Sequence, residues 1–177
     1  TSDSAKGFQE LSDAVEGFAQ QYGIEAVDVA RSLYQTISAG FGQEDAAEGF
    51  MVMAESLKFA KATMTSATQA VDLMTTVMNS YGFAAHEANE VSEVLFKTIQ
   101  LGKTTGSELA LSFGRVASMA AAAKIPVQDI GAATVALTRA GLKTDESMTA
   151  LRQVISKIVN PTQAATDAIE RLGLTLF

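Results

Sequence analysis

Cysteine and tryptophan are missing from these 177 residues, and histidine and proline are nearly so, with one and two copies. Without cysteine there are no disulfides, no thiolate catalysis and no cysteine-based zinc site, and the redox compartment is left open. His86 is the lone histidine, which excludes a histidine-rich metal centre within one chain. No stretch reaches the roughly 18–20 uncharged residues that span a bilayer. The longest apolar runs are Leu73 to Ala85 and Val116 to Ala123. There is no signal peptide, and the chain does not begin with Met, so it reads as an excised or processed stretch of something longer. A basic stripe is also lacking. The net charge is −7, and residues 1–60 hold ten acids against Lys6, Arg31 and Lys58, while the remainder is balanced. Phosphate neutralisation, and with it specific nucleic-acid binding, is therefore not expected.

What is present suits a folded helical protein. Apolar residues make up 47% and charged residues 19%, a balance that fits a folded globular protein and argues against disorder. The length allows one domain with a sizeable core or two small ones. Abundant Ala, Met, Leu, Gln and Glu favour helix. The core must come from aliphatic residues and nine Phe.

Periodicity and punctuation agree with this. Val91, Leu95, Thr98 and Ile99 fall on one helical face. Ser66 before Gln69 and Thr105 before Glu108 match the capping-box pattern, in which a hydroxyl and an acid or amide satisfy each other's end of the first turn. Asn160-Pro161 predicts a further helix start. Gly23, Gly40, Gly82, Gly102, Gly141 and Gly173 stand where glycine helix caps would stand. No period-two alternation appears, so the expected fold class is all-α.

Gly23, Gly82 and Gly141 are 59 residues apart, and the segments after them resemble one another. Val91, Leu95, Phe96 and Ile99 align with Ala150, Val154, Ile155 and Ile158, and His86-Glu87 with Asp145-Glu146. The first copy is three residues shorter after its glycine; its Val29, Leu33, Tyr34, Thr36, Ile37 and Gly40 align with Val91, Leu95, Phe96, Thr98, Ile99 and Gly102. The expected organisation is a single all-helical region, a multi-helix bundle or short solenoid of roughly 59-residue repeats broken by glycine. Its parts would be a partial repeat 1–22, repeats at about 23–81 and 82–140, and a partial repeat 141–177. Stacking would let each copy bury what its neighbour exposes.

Candidate chemistry is thin. Leu101-Gly102-Lys103-Thr104-Thr105 looks like the end of a phosphate-binding loop, but Lys97 stands where the first glycine belongs and a helix, not a strand, leads in. His86, Glu87, Glu90 and Glu93 outline a conceivable metal face, which the helix dipole explains more simply. The hydroxyl residues have no base other than His86 and no Gly-x-Ser-x-Gly elbow. Met51, Met53, Met64, Met74, Met78, Met119 and Met148 lie in helical runs and read as core, with an adaptable binding surface as the alternative. No catalytic, cofactor-binding or metal residue is assigned, no cofactor is expected, and the chain does not read as an enzyme.

Residues 70–174 resemble the core region of phage tail tape measure proteins. The resemblance rests on Tyr81-Gly82, Val91 through Thr105 with "LFKTIQLGKTT", Glu108-Leu109, Gly114-Arg115-Val116 and Thr138 to Leu142; Leu11 to Gly42 matches more loosely. Pro126, where a capping polar residue would be usual, and the small-residue run Ala117 to Ala123 depart from it. The resemblance implies a virion component in the lumen of a phage tail, assembled in the host cytoplasm, that takes part in tail assembly, tail-length determination and genome ejection. Implied partners are tail tube and tail-tip proteins and tail assembly chaperones, with self-association and transient contact with the host envelope as further expectations. Short glycine-broken helices would be poor ruler material, which favours a folded docking module. The rival readings are a freestanding helical adaptor and a membrane-active segment assisting DNA passage.

Overall fold

A computed structural model describes residues 2–163, 166, 167 and 171. These residues are helical or in turns and loops, with no strand among them, so the fold is all-α. In order come α1 (Ser2–Tyr22), α2 (Ala26–Ser38), α3 (Ala46–Thr63), α4 (Ala67–Tyr81), a 3-10 turn at Ala85–Glu87, α5 (Ala88–Leu101), α6 (Gly106–Ser112), α7 (Gly114–Ala122), α8 (Val127–Arg139) and α9 (Thr144–Val159).

α4 is the centre. Ala70, Val71, Leu73, Met74, Thr75, Val77 and Met78 are all buried, which covers most of its circumference. A helix apolar on nearly every side must be surrounded, and α2, α3, α6 and α7 all lie against it. Around α4 runs the main core, including Val52, Phe59, Leu95, Leu109, Phe113, Val116, Ile130 and Met148. A smaller cluster joins α1, α2 and α3 through Val15, Tyr22, Val29, Leu33, Met53 and Leu57. There Phe18 stacks between Tyr22 and Phe50, with ring centroids 5.9 and 5.6 Å away.

Helix ends follow from local chemistry. Thr105 and Glu108 form the expected capping box: Thr105 Oγ1 accepts from the Glu108 backbone N–H at 3.2 Å, and Glu108 Oε2 from that of Thr105 at 2.8 Å. Ser66 accepts from the Gln69 N–H at 3.2 Å, but the Gln69 side chain turns to the Ser66 and Ser107 hydroxyls instead of closing the box. Glu87 and Glu146 reach back to the Ala84 and Lys143 N–H groups at 2.8 and 3.1 Å, although neither N-cap has a side-chain acceptor. Asn160 closes α9, Pro161 and Thr162 form a short link, and Gln163, Thr166, Asp167 and Arg171 are again helical, so helix begins two residues later than the expected start, with the Thr166 N–H donating to the Thr162 carbonyl at 2.9 Å. Gly23, Gly40, Gly82 and Gly141 take positive φ, as caps do, whereas Gly102 is extended and Gly173 lies outside the described residues. Two ends place a residue other than glycine in the left-handed region: Met64 after α3 and Lys124 after α7 adopt φ of 54° and 57°.

Close helix approach is built from small residues. Gly131 of α8 sits over Thr98 of α5, where a Cβ would lie 2.6 Å from Thr98 Oγ1, and Gly114 of α7 sits over Thr76 of α4, 2.7 Å from its Cγ2. The bend between α6 and α7 falls at Ser112-Phe113-Gly114, where the Ser112 hydroxyl donates to the Glu108 carbonyl at 2.8 Å, a bond that tends to bend helices.

Candidate interaction faces

The sequence positions that hinted at chemistry have structural duties. Lys103 is exposed, and its backbone N–H donates to Thr138 Oγ1 at 3.1 Å, fastening the α5–α6 turn to α8. Glu87 caps the 3-10 turn, Glu90 accepts from Gln128 of α8 at 2.9 Å, and Glu93 accepts from Lys97 and Asn89 one turn away. His86 is exposed. Among the described residues no group of three acidic, histidine or cysteine side chains is placed to hold a metal. Met53, Met74, Met78 and Met148 are buried; Met51 and Met64 are exposed, and Met119 is partly covered.

Hydroxyls are numerous in the core but turn inward on their own helices. Thr36, Ser56, Thr75, Thr98, Thr134, Thr138 and Ser147 each donate to the carbonyl four residues earlier, at 2.7–2.9 Å. Among the other described buried hydroxyls, Thr65 and Thr144 bond to the hydroxyls of Thr63 and Thr104, and Ser32 has no partner. Cross-helix polar contacts are few and sit at helix ends: Asn79 donates to the Ala39 carbonyl at 2.8 Å and Thr144 to Thr104 Oγ1 at 2.8 Å. Tyr81 donates to the Ile125 carbonyl at 3.1 Å, and burial foremost, with Asp129 adding to it, pushes its phenol up to about 12.

The arrangement of the described residues offers open surfaces. The grooves found among the described residues are open and shallow. The roomiest, about 630 Å³, lies where the α1–α2 turn meets the α3–α4 turn, lined by Tyr22, Asp28, Lys61 and Met64. Apolar side chains stand exposed in two stripes. On α2, Val27 and Tyr34 are seven residues apart and share a face with Ala30. On α9, Val154 and Ile158 are four apart, with Val159 beside them. Isolated exposed leucines need no account; stripes at helical spacing are what a further helix packs against. Sequence alone does not pick out these stripes, because an apolar residue at helical spacing looks the same whether its face is covered or bare.

Comparison with known proteins places the chain among structural proteins of phage tails. Residues 12–177 match the family described as phage-related minor tail protein. A relative described as a probable tape measure protein, from Clostridium phage phiCD119, is 27% identical over 125 residues, covering 70% of this chain and 13% of its own length. The tape measure protein of Pneumococcus phage Dp-1 is 24% identical over 161 residues, covering 86% of this chain and 14% of its own. The chain thus spans about one seventh of the length of these relatives. No solved structure matches it.

Proposed function

The chain belongs to the phage-related minor tail proteins, and from that premise we propose that it is a folded module of a tape measure protein, active in tail assembly and genome delivery more than in metering length. The observation that carries this reading is that α2 through α9, none longer than 18 residues, fold back on one another around α4. Side-by-side helices lie about 8–10 Å apart, so folded residues contribute far less axial length than the roughly 1.5 Å per residue of a continuous helix. The family description is structural, which supports a role without catalysis. In this reading the module resides in the tail lumen, its exposed apolar stripes meet tail-tube or tail-tip proteins, and assembly chaperones shield them beforehand. Its acidic first third repels DNA, which suits a component beside which a genome must pass.

Tail length measured by electron microscopy after in-frame deletion of residues 82–140 from the parent tests this. A folded module predicts shortening of no more than ~10–20 Å, with assembly or infectivity impaired. Shortening by ~90 Å, the length of 59 residues of continuous helix, would make the segment part of the ruler and overturn the proposal. Normal phage of normal length would overturn it as well.

A further inference from the structure

Three helices occupy related places in the chain, and their exposure is ordered. The sequence aligns α2 with α5 and α5 with α9, so that Tyr34, Phe96 and Ile155 correspond, as do Leu33, Leu95 and Val154. Tyr34 is 72% exposed, Phe96 37% and Ile155 3%. In the second set only the last helix is exposed: Leu33 is 4% exposed, Leu95 0% and Val154 53%.

Neighbouring helices account for both trends. Phe96 lies beside Lys58, Phe59 and Ala62 of α3, the helix that precedes α5 by two. Ile155 belongs to the core that includes Val116, Ala117 and Ala120 of α7, likewise two helices back when α6 and α7 are taken as one bent helix. Tyr34 has no such helix before it, because only α1 precedes α2. On the other side, α2 is covered by α4, and α5 by α8 in the same way. Among the described residues α9 has no such helix, and its Val154 and Ile158 are exposed. Other contacts follow the same rule: α3 packs on α5 as α6 and α7 pack on α9, and α4 touches α5 as α8 touches α9. The shared 59-residue offset extends to the caps, since Glu87 and Glu146 make the same backbone contact.

We propose that the fold is an open-ended stack of three-helix units, α2–α4 and then α5–α8, and that each end presents a joining face for one more unit of the same pattern in the same polypeptide. The Ala30–Tyr34 part of the α2 stripe receives the middle helix of a preceding unit, as the corresponding Ser92 and Phe96 of α5 meet α3 at the internal joint. The Val154–Ile158 stripe receives the later helices of the unit that α9 begins. The internal joint between the two units is the template for both faces, and relatives of which this chain spans 13% and 14% have room for further units. A stack built by nearest-neighbour contacts has no intrinsic end, so each terminal face remains apolar until it is covered.

The absence of cysteine makes the test direct. Val154→Cys is placed in the 177-residue chain and in an extended chain in which residues 1–159 are followed by a second copy of residues 101–140. That junction keeps the register, since Val159 corresponds to Gln100. The proposal expects the introduced thiol to react freely with a soluble maleimide in the first chain and at least about tenfold more slowly in the second, with a gain in helical circular dichroism. Tyr34→Cys, at the other end, stays equally reactive in both. An unprotected thiol at position 154 in the extended chain, with the added segment folded or not, overturns the inference. So does protection already present in the 177-residue chain, which would mean that residues after Asn160 cover the face. Protection that rises with concentration overturns it in favour of a second copy as the occupant.

Discussion

Replacing Gly131 by alanine sets two effects of opposite sign against each other, and the structure decides between them. In a helix interior the change is worth roughly 1 kcal/mol in favour of alanine. Here the new methyl carbon would stand 2.6 Å from Thr98 Oγ1 and 3.4 Å from Val94 Cγ1. Thr98 has little freedom to withdraw. Its residue is buried, its β-branched side chain is stiff in a helix, and its hydroxyl is held by the Val94 carbonyl at 2.8 Å. Overpacking of this kind costs about 1–3 kcal/mol, so a net loss of about 1 kcal/mol, lowering Tm by about 2–4 °C in a chain of this size, is expected. Urea unfolding followed by circular dichroism should show a lower midpoint with an unchanged slope. Thr98→Ala removes the obstructing oxygen, and in that background Gly131→Ala should become neutral or stabilising, a coupling of about 1–3 kcal/mol. Gly17→Ala, mid-helix with nothing within 4 Å of the added carbon, serves as the reference and should stabilise by roughly 0.5–1 kcal/mol. Stabilisation by Gly131→Ala alone, or an equal loss with and without the Thr98 hydroxyl, would refute the close-approach argument.

Two further outcomes are expected. Met64 is 95% exposed in the left-handed region at φ 54°, so Met64→Gly should raise stability by about 1 kcal/mol, read as a higher urea midpoint; a fall would show that the Met side chain contributes more than its backbone conformation costs. Tyr81 ionises near its ordinary value of about 10 when unfolded and at about 12 when folded, so only the unfolded state loses its proton between those limits, and stability should fall as pH rises through that window and be flat below it. Because the ring is half-exposed, the fall is about 1 kcal/mol after discounting for solvent; Tyr81→Phe should abolish it, and an unchanged slope in that variant would assign the effect elsewhere.

The helices are legible in the sequence because apolar spacing and capping chemistry are local. Thr105 with Glu108 shows this best, since both partners of the box lie within one turn. Gln69 does not close its box because Ser107, 38 residues away, offers its side chain a competing partner. Asn160-Pro161 marks the following helical stretch only to within two residues, because Asn160 also closes α9 and helix resumes at Gln163. Met64 and Lys124 cannot be foreseen as left-handed caps, since nothing in either residue type favours that conformation; tertiary packing of α3 and α7 decides it. The exposed stripes are illegible for a related reason: Tyr34 and Phe96 differ in exposure only because one has a helix in front of it. Val154 differs from Leu95 for the same cause at the other end.

The buried hydroxyls that bond within their own helices have a mechanical consequence. When two of these helices part, each of these hydroxyls keeps the carbonyl to which it donates, and Ser32 gains water. Separation therefore exposes mainly apolar area, and the side-chain hydrogen bonds that must break are the few between elements, such as those of Lys103 with Thr138, Asn79 with Ala39 and Tyr81 with Ile125. The resistance to peeling is then short-ranged and solvent-driven, weakening on cooling as apolar hydration becomes less unfavourable. Pulled from one terminus, such a molecule should shed helices one after another, at modest and similar forces, and each could re-dock with few polar partners to find.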